Sequence, residues 1–216
     1  MAERTDPLKL ASLLLQYPTG ELWEARDELR AEIDALPGGR SRAALERFLG
    51  WSDGMALADC QRAYVETFDF SRRNSLYLTY HRWGDLRQRG LALLRLKQRY
   101  AEAGLELVDG ELPDYLPVML EFAALSPEGG RAALGEHREA LELVRSSLRD
   151  EESPYADLLD AVAAQLPRLT RRQAARAGRL AADGPPSEEV GLEPFAPPEV
   201  MPPVDSVSVQ PARGAR

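Results

Sequence analysis

Cysteine, histidine and positive charge are all scarce in this sequence, and each scarcity removes a class of function. The single cysteine, Cys60, cannot close an internal disulfide, and the two histidines, His81 and His137, are too few for a Cys/His cluster of metal-binding spacing. The expectation is therefore no resident metal, no cofactor and a reducing compartment. Lys and Arg total 27 against 35 Asp and Glu, a formal charge of -8. That balance opposes nucleic-acid binding, which depends on a basic face that neutralises phosphates. The arginine-rich run Arg168, Arg171, Arg172, Arg176 and Arg179 has no interleaved aromatics and reads as a solvated helix face. No segment approaches the roughly 20 apolar residues that span a bilayer. The opening "MAERTDPLKLASLLLQYP" has no basic start followed by an apolar run and a small-residue cleavage site, so a cytoplasmic protein without membrane insertion is expected.

Catalytic signatures are missing as well. There is no phosphate-cradling glycine loop and no His-Glu-x-x-His, and neither histidine has a glutamate three residues before it. His81 and Asp85 are four apart, the spacing of a metal pair or of a base with its orienter, but Gly84 interrupts that geometry. His137 falls on an apolar helical stripe and reads as a hydrogen-bonded core imidazole. Cys60 reads as a small buried apolar residue. The chain is not expected to be an enzyme.

What is present is helical period. The 216 residues are 44% hydrophobic and 29% charged, enough for one domain with an appendage. Asp6 with Pro7 starts a helix that Pro18 stops. Thr19 caps a second, with Leu22, Ala25, Leu29, Ile33 and Leu36 on one face. A third, shorter helix carries Ala44, Leu45, Phe48 and Leu49, and a fourth runs from about Asp53 to Phe68. After a polar interruption at Ser71 to Asn74, "SLYLTYHRW" reads as a short apolar helix ended by Gly84. Asp85 then caps a helix with Leu86, Leu93, Leu94, Tyr100 and Ala101 inward, and Gly104 ends it. Past a loop around Val108, Asp109 and Gly110, Asp114 is placed to cap a helix through Pro117. Ser126–Pro127 opens a helix faced by Leu134, His137, Leu141, Val144 and Leu148, and Ser153–Pro154 opens another. Thr170 and Gln173 have capping-box spacing for a final helix. The expected architecture is an all-α, single multi-helix bundle over residues 1–182, followed by a Pro/Glu-rich flexible tail over 183–216.

One stretch gathers unusual company. Residues 64–85 read "YVETFDFSRRNSLYLTYHRWGD", with aromatics between acids, arginines and hydroxyls. Taken singly, Tyr64, Phe68 and Tyr77 read as core. Taken together with Glu66, Asp69 and Asp85, they suit a surface that holds an extended or helical peptide bearing apolar anchors and arginines.

The continuation "YVETFDFSRRNSLYLTYHRWGDLRQRG", together with "ELPDYLPVMLEFAAL", resembles the nitrate reductase molybdenum cofactor assembly chaperones, the NarJ-type branch of the TorD-like redox-enzyme maturation proteins. The similarity runs from "LLLQYP" to "ESPYADLL", most of the helical region. It implies an all-α cytoplasmic chaperone of nitrate assimilation. Such a chaperone binds the N-terminal region of the unfinished catalytic (alpha) subunit of a respiratory nitrate reductase. It supports insertion of the molybdenum guanine-dinucleotide cofactor, delays membrane attachment and then leaves. Proteins of molybdenum cofactor biosynthesis are further partners on this reading. In the wider family a Pro-Asp-His motif is associated with partner binding. Here it corresponds to Pro113, Asp114 and Tyr115, and the tyrosine weakens the case for a pH-sensitive or metal role at that position. Arg87 and Arg89 either orient the acids or face solvent. The candidate client-peptide site is thus Tyr64, Glu66, Phe68, Asp69, Tyr77, His81, Asp85, Pro113, Asp114 and Tyr115. The rival readings are a helical adaptor or chaperone for a different molybdoenzyme or complex, and an enzyme or metalloprotein using His81.

Overall fold

The computed structural model describes residues 5–107, 110–184 and 186. Twelve α-helices and one 3-10 turn, with no strand among the described residues, make the all-α bundle that the helical period predicts. The first helices are α1 (Pro7–Leu14), α2 (Gly20–Glu24), α3 (Arg26–Asp34), α4 (Arg40–Ser52) and α5 (Leu57–Phe68). The 3-10 turn Arg72–Asn74 follows, then α6 (Tyr80–Trp83) and α7 (Arg87–Glu102). The second half contains α8 (Leu116–Leu125), α9 (Gly129–Glu136), α10 (Arg138–Asp150), α11 (Tyr155–Ala164) and α12 (Arg171–Asp183). The tail expected from residue 183 lies outside the described residues except for the end of α12, Gly184 and Pro186, and Val108 and Asp109 of the expected loop lie outside them too.

Helix starts follow local chemistry. The Asp6 carboxylate accepts from the Leu8 amide, the Thr19 hydroxyl accepts from Leu22, and Thr170 with Gln173 forms a full capping box, each satisfying amides that have no intrahelical acceptor. Several expectations need correction. The second expected helix is broken at Ala25 into α2 and α3, and the helix expected over 127–148 is broken at His137 into α9 and α10. The third helix, α4, has 13 residues and is not short. Asp53 does not start α5 but ends α4. On α7 the buried positions are Leu96 and Tyr100, while Leu94 and Ala101 face outward. Neither Asp85 nor Asp114 caps the helix that follows it, because the N-cap positions of α7 and α8 are Leu86 and Tyr115, and neither makes a side-chain cap bond.

Packing centres on α1, α8 and α11. Helix α11 lies on α4, α1 lies on α8 and α11, and α8 on α9. Helix α8 is apolar on nearly every side, and Leu116, Pro117, Met119, Leu120, Phe122 and Ala123 are all buried, as an all-round apolar helix requires. Where helices cross closely, small hydroxyls tie them: Ser12 Oγ donates to Pro117 O at 2.7 Å and Ser41 Oγ to Ala161 O at 2.8 Å. Gly130 of α9 sits so close to α8 that a Cβ there would lie 2.3 Å from the Phe122 carbonyl oxygen. At the other end Tyr155, 1% exposed, is ringed by Phe48, Trp51, Tyr64 and Phe68 with centroids 4.9 to 5.9 Å away. Tilted and edge-on rings of this kind add to what area burial alone contributes.

Candidate functional site

The segment Ser75–Thr79, expected to be helical, is instead a bridge at Tyr77 that runs into a turn at Leu78 and Thr79. Its hydrogen-bond partners come from the second motif: Leu78 N donates to Asp114 O at 3.0 Å and Leu116 N donates to Leu76 O at 2.8 Å. Tyr77 and Tyr115 form an isolated antiparallel bridge and their rings pack at 5.2 Å. Of "SLYLTYHRW" only Tyr80–Trp83 is helical, as α6, because Leu76 and Leu78 bond across the chain to the second motif and not along it. The bridge brings residues 64–90 and 111–125 into one surface.

Beneath that surface is a polar lock. Asp114 has no exposure, and its Oδ2 accepts from the Thr79 amide at 3.1 Å and the Thr79 hydroxyl at 2.5 Å. Arg89 Nη2 stands 3.6 Å from the same oxygen and Arg89 Nε donates to Thr79 Oγ1 at 3.2 Å. Arg89 therefore orients a buried acid, the first of the two roles open to it. The Tyr100 hydroxyl donates to Pro113 O at 3.1 Å, fixing the turn before Asp114. His81, 1% exposed, donates from Nε2 to Ser75 O at 2.8 Å. Burial pulls its pKa below the ordinary histidine value, against smaller upward pulls from Ser75 and Asp114, so it is a neutral structural group at neutral pH. Asn74, fully buried, donates to Thr67 O at 2.9 Å and Glu151 Oε2 at 2.7 Å, holding the 3-10 turn against the end of α10.

Above the lock is an open cleft of about 400 Å³ lined by Phe68, Asp69, Phe70, Ser75, Tyr77, Tyr80 and Arg89 among others. Phe70 is 80% exposed on its rim, a large apolar side chain with no packing role. Arg89 lies within 6 Å of both the Tyr77 and Tyr80 rings, at 5.9 and 5.7 Å. The Tyr77 hydroxyl donates to Glu111 at 3.2 Å, and burial with that carboxylate pushes its pKa up to about 12. The Tyr115 hydroxyl lies 3.2 Å from that of Tyr64, so the residue at the family's histidine position ties α5 to the second motif.

The ten expected contact residues divide by burial. Tyr64, His81, Pro113 and Asp114 are buried and form the scaffold beneath the surface, while Phe68, buried at 9% exposure, still lines the cleft. Tyr77 and Tyr115 are half-buried, and Glu66, Asp69 and Asp85 are exposed. Of these acids only Asp69 lines the cleft, and Arg72 and Arg89 line it too, so its rim is mixed in charge where acids alone were expected. Sequence reasoning passed over Phe70, Thr79 and Tyr80, which lay inside the quoted stretch. The available signal for Phe70 was its position just past Phe68, where helical period fails. No group of three potential metal-ligating side chains occurs among the described residues, and no helix among them is long and apolar enough to cross a membrane.

Among the described residues the two motifs thus build an aromatic cleft over a buried polar lock within an all-α bundle. The family model described as "Nitrate reductase delta subunit" matches residues 34–161, and the chain belongs to that family, in its NarJ-type branch. It is 35% identical over 164 residues to the "Probable nitrate reductase molybdenum cofactor assembly chaperone NarJ" of Bacillus subtilis, covering 75% of this chain and 89% of that protein. It is 38% identical over 157 residues to the "Nitrate reductase molybdenum cofactor assembly chaperone NarJ" of Escherichia coli, covering 71% of this chain and 66% of the relative. A third relative, the "Nitrate reductase-like protein NarX" of Mycobacterium tuberculosis, is 38% identical over 156 residues that make up 23% of its length.

Proposed function

We propose that this chain is a maturation chaperone for respiratory nitrate reductase. It binds the N-terminal region of the catalytic subunit in the cytoplasm and holds it while the molybdenum cofactor is inserted. It catalyses no reaction. Relatives named as molybdenum cofactor assembly chaperones support the role, and the cleft that the first motif lines, from Phe68 to Arg89, supports the mode. The observation that carries the reading is the exposed Phe70 beside Tyr77 and Tyr80, over a lock that fixes their spacing. Such a rim offers apolar and cation–π contact to a peptide, and Asp69 offers a partner to a basic residue of the client. The lock keeps the cleft preformed, which lowers the ordering entropy lost on binding. Proteins of molybdenum cofactor biosynthesis meet the complex as second partners. The test is a deletion strain. The reading expects catalytic-subunit polypeptide to accumulate there without molybdenum, and normal metal content would contradict it.

A further inference from the structure

Between α4, α10 and α11, a second cleft of about 460 Å³ shares no lining residue with the first and is lined by six arginines and two acids. This is an unusual local balance in a chain of net charge -8. The two acids are already occupied. Asp160 accepts from Arg145 at 2.8 Å and pairs with Arg149, and Glu142 takes Arg145 at 2.5 Å. Arg47 is held by Asp157 at 2.7 Å. That leaves Arg40, Arg138 and Arg168 with no hydrogen-bonded carboxylate among the described residues.

Arg138 is the decisive member. It is only 7% exposed, and its Nε and Nη1 have no hydrogen-bond partner among the described residues. Glu142 Oε2 stands 3.9 Å from Nη1, beyond hydrogen-bond reach. A buried guanidinium with idle donors is costly, because its lost hydration is not replaced. Burial pulls its pKa below the ordinary arginine value; Glu142 opposes this and Arg145 adds to it. Ala43, Ala44, Ala163 and Leu166 line the same cleft, so a charge bound there is partly shielded from water and interacts more strongly than on the open surface.

We propose that this cleft is a binding site for a phosphate or diphosphate group, held by Arg138 on the inner side and by Arg40 and Arg168 at the mouth. Several planar forks converging on one space suit a multivalent oxyanion, whose oxygens accept from more than one guanidinium at once. A single carboxylate would satisfy fewer of those donors. The inference does not depend on the chaperone reading, because it uses none of the residues of the motif cleft.

The test uses the full chain at constant ionic strength, with calorimetry and thermal melting against three probes: inorganic diphosphate, adenosine diphosphate and a poly-glutamate peptide. Expected are a Kd below about 1 mM for diphosphate, a rise in Tm on its addition, and a loss of about tenfold or more in affinity in Arg138→Met. Equal binding of both diphosphates indicates that the free group suffices, and tighter binding of the nucleotide indicates an organic phosphate; both support the site. Arg168→Gln on the exposed rim folds regardless and is expected to weaken the same probes. No binding of either diphosphate, or binding unchanged in Arg138→Met and Arg168→Gln, overturns the proposal. Tighter binding of poly-glutamate than of diphosphate overturns it in favour of an acidic protein partner.

Discussion

The Asp114 carboxylate reaches across 35 residues of sequence to accept both the backbone amide and the hydroxyl of Thr79. Through this pair the two motifs that identify the family become one structural unit. Removing the acid leaves a buried amide, a buried hydroxyl and a mostly buried guanidinium without their shared acceptor. Asp114→Ala is therefore expected to destabilise the fold by about 3 kcal/mol, while Asp114→Asn, which keeps one acceptor oxygen, loses less. Urea unfolding of the two variants checks the order, and equal stability of Asp114→Ala and the parent would show that the pair is not a lock.

Phe70 is predicted to separate stability from function. Because it is 80% exposed and touches no core cluster, Phe70→Ala is expected to stay within about 0.5 kcal/mol of the parent. Its affinity for a client N-terminal peptide is expected to fall about tenfold or more, as for an aromatic anchor. Asp69→Lys tests the charge on the same rim: it weakens a basic peptide, and the loss shrinks as salt rises.

Acid should loosen the bundle. Both histidines have pKa values lowered chiefly by burial, His81 against Ser75 and Asp114, His137 against Ala133 and Glu136. In the unfolded chain each takes up a proton as pH falls through about 6.5, while the folded chain resists. The unfolded state then binds more protons, so stability is full above the unfolded value and declines as pH drops below it toward the lower folded value. Denaturant midpoints between pH 7.5 and 5 are expected to fall, and His81→Gln is expected to flatten that slope. A pH-independent midpoint would contradict the assignment.

Gly130→Ala is expected to cost about 1–3 kcal/mol, because the new methyl would lie 2.3 Å from the Phe122 carbonyl oxygen and would push α9 off α8. Thermal melting reads the loss. Gly135 has open space around its Cβ position and lies on the same helix, so Gly135→Ala is the control that should not destabilise.

The sequence was most legible where the chemistry is local. Asp6–Pro7, Thr19 and Thr170–Gln173 announce helix starts because each cap bonds an amide two or three residues away. It was least legible where the partner is distant. The non-helical course of Leu76–Leu78 is set by Asp114 and Leu116, which no short window can reveal. The breaks at Ala25 and His137 fall at residues that are neither proline nor glycine. Aromatic residues posed the same ambiguity at the site. Tyr64 and Phe68 fall inside because α5 turns that stripe toward Tyr155, and Phe70, past the end of the helix, is released to the surface.

The most direct measurement is isothermal calorimetry of this chain with a synthetic peptide of the nitrate reductase catalytic subunit's N-terminus, run beside Phe70→Ala. The account predicts saturable binding with a Kd of about 1 µM or tighter for the parent and about tenfold weaker or worse for the variant. Absence of heat with the parent, together with unshifted amide resonances in NMR, would contradict it.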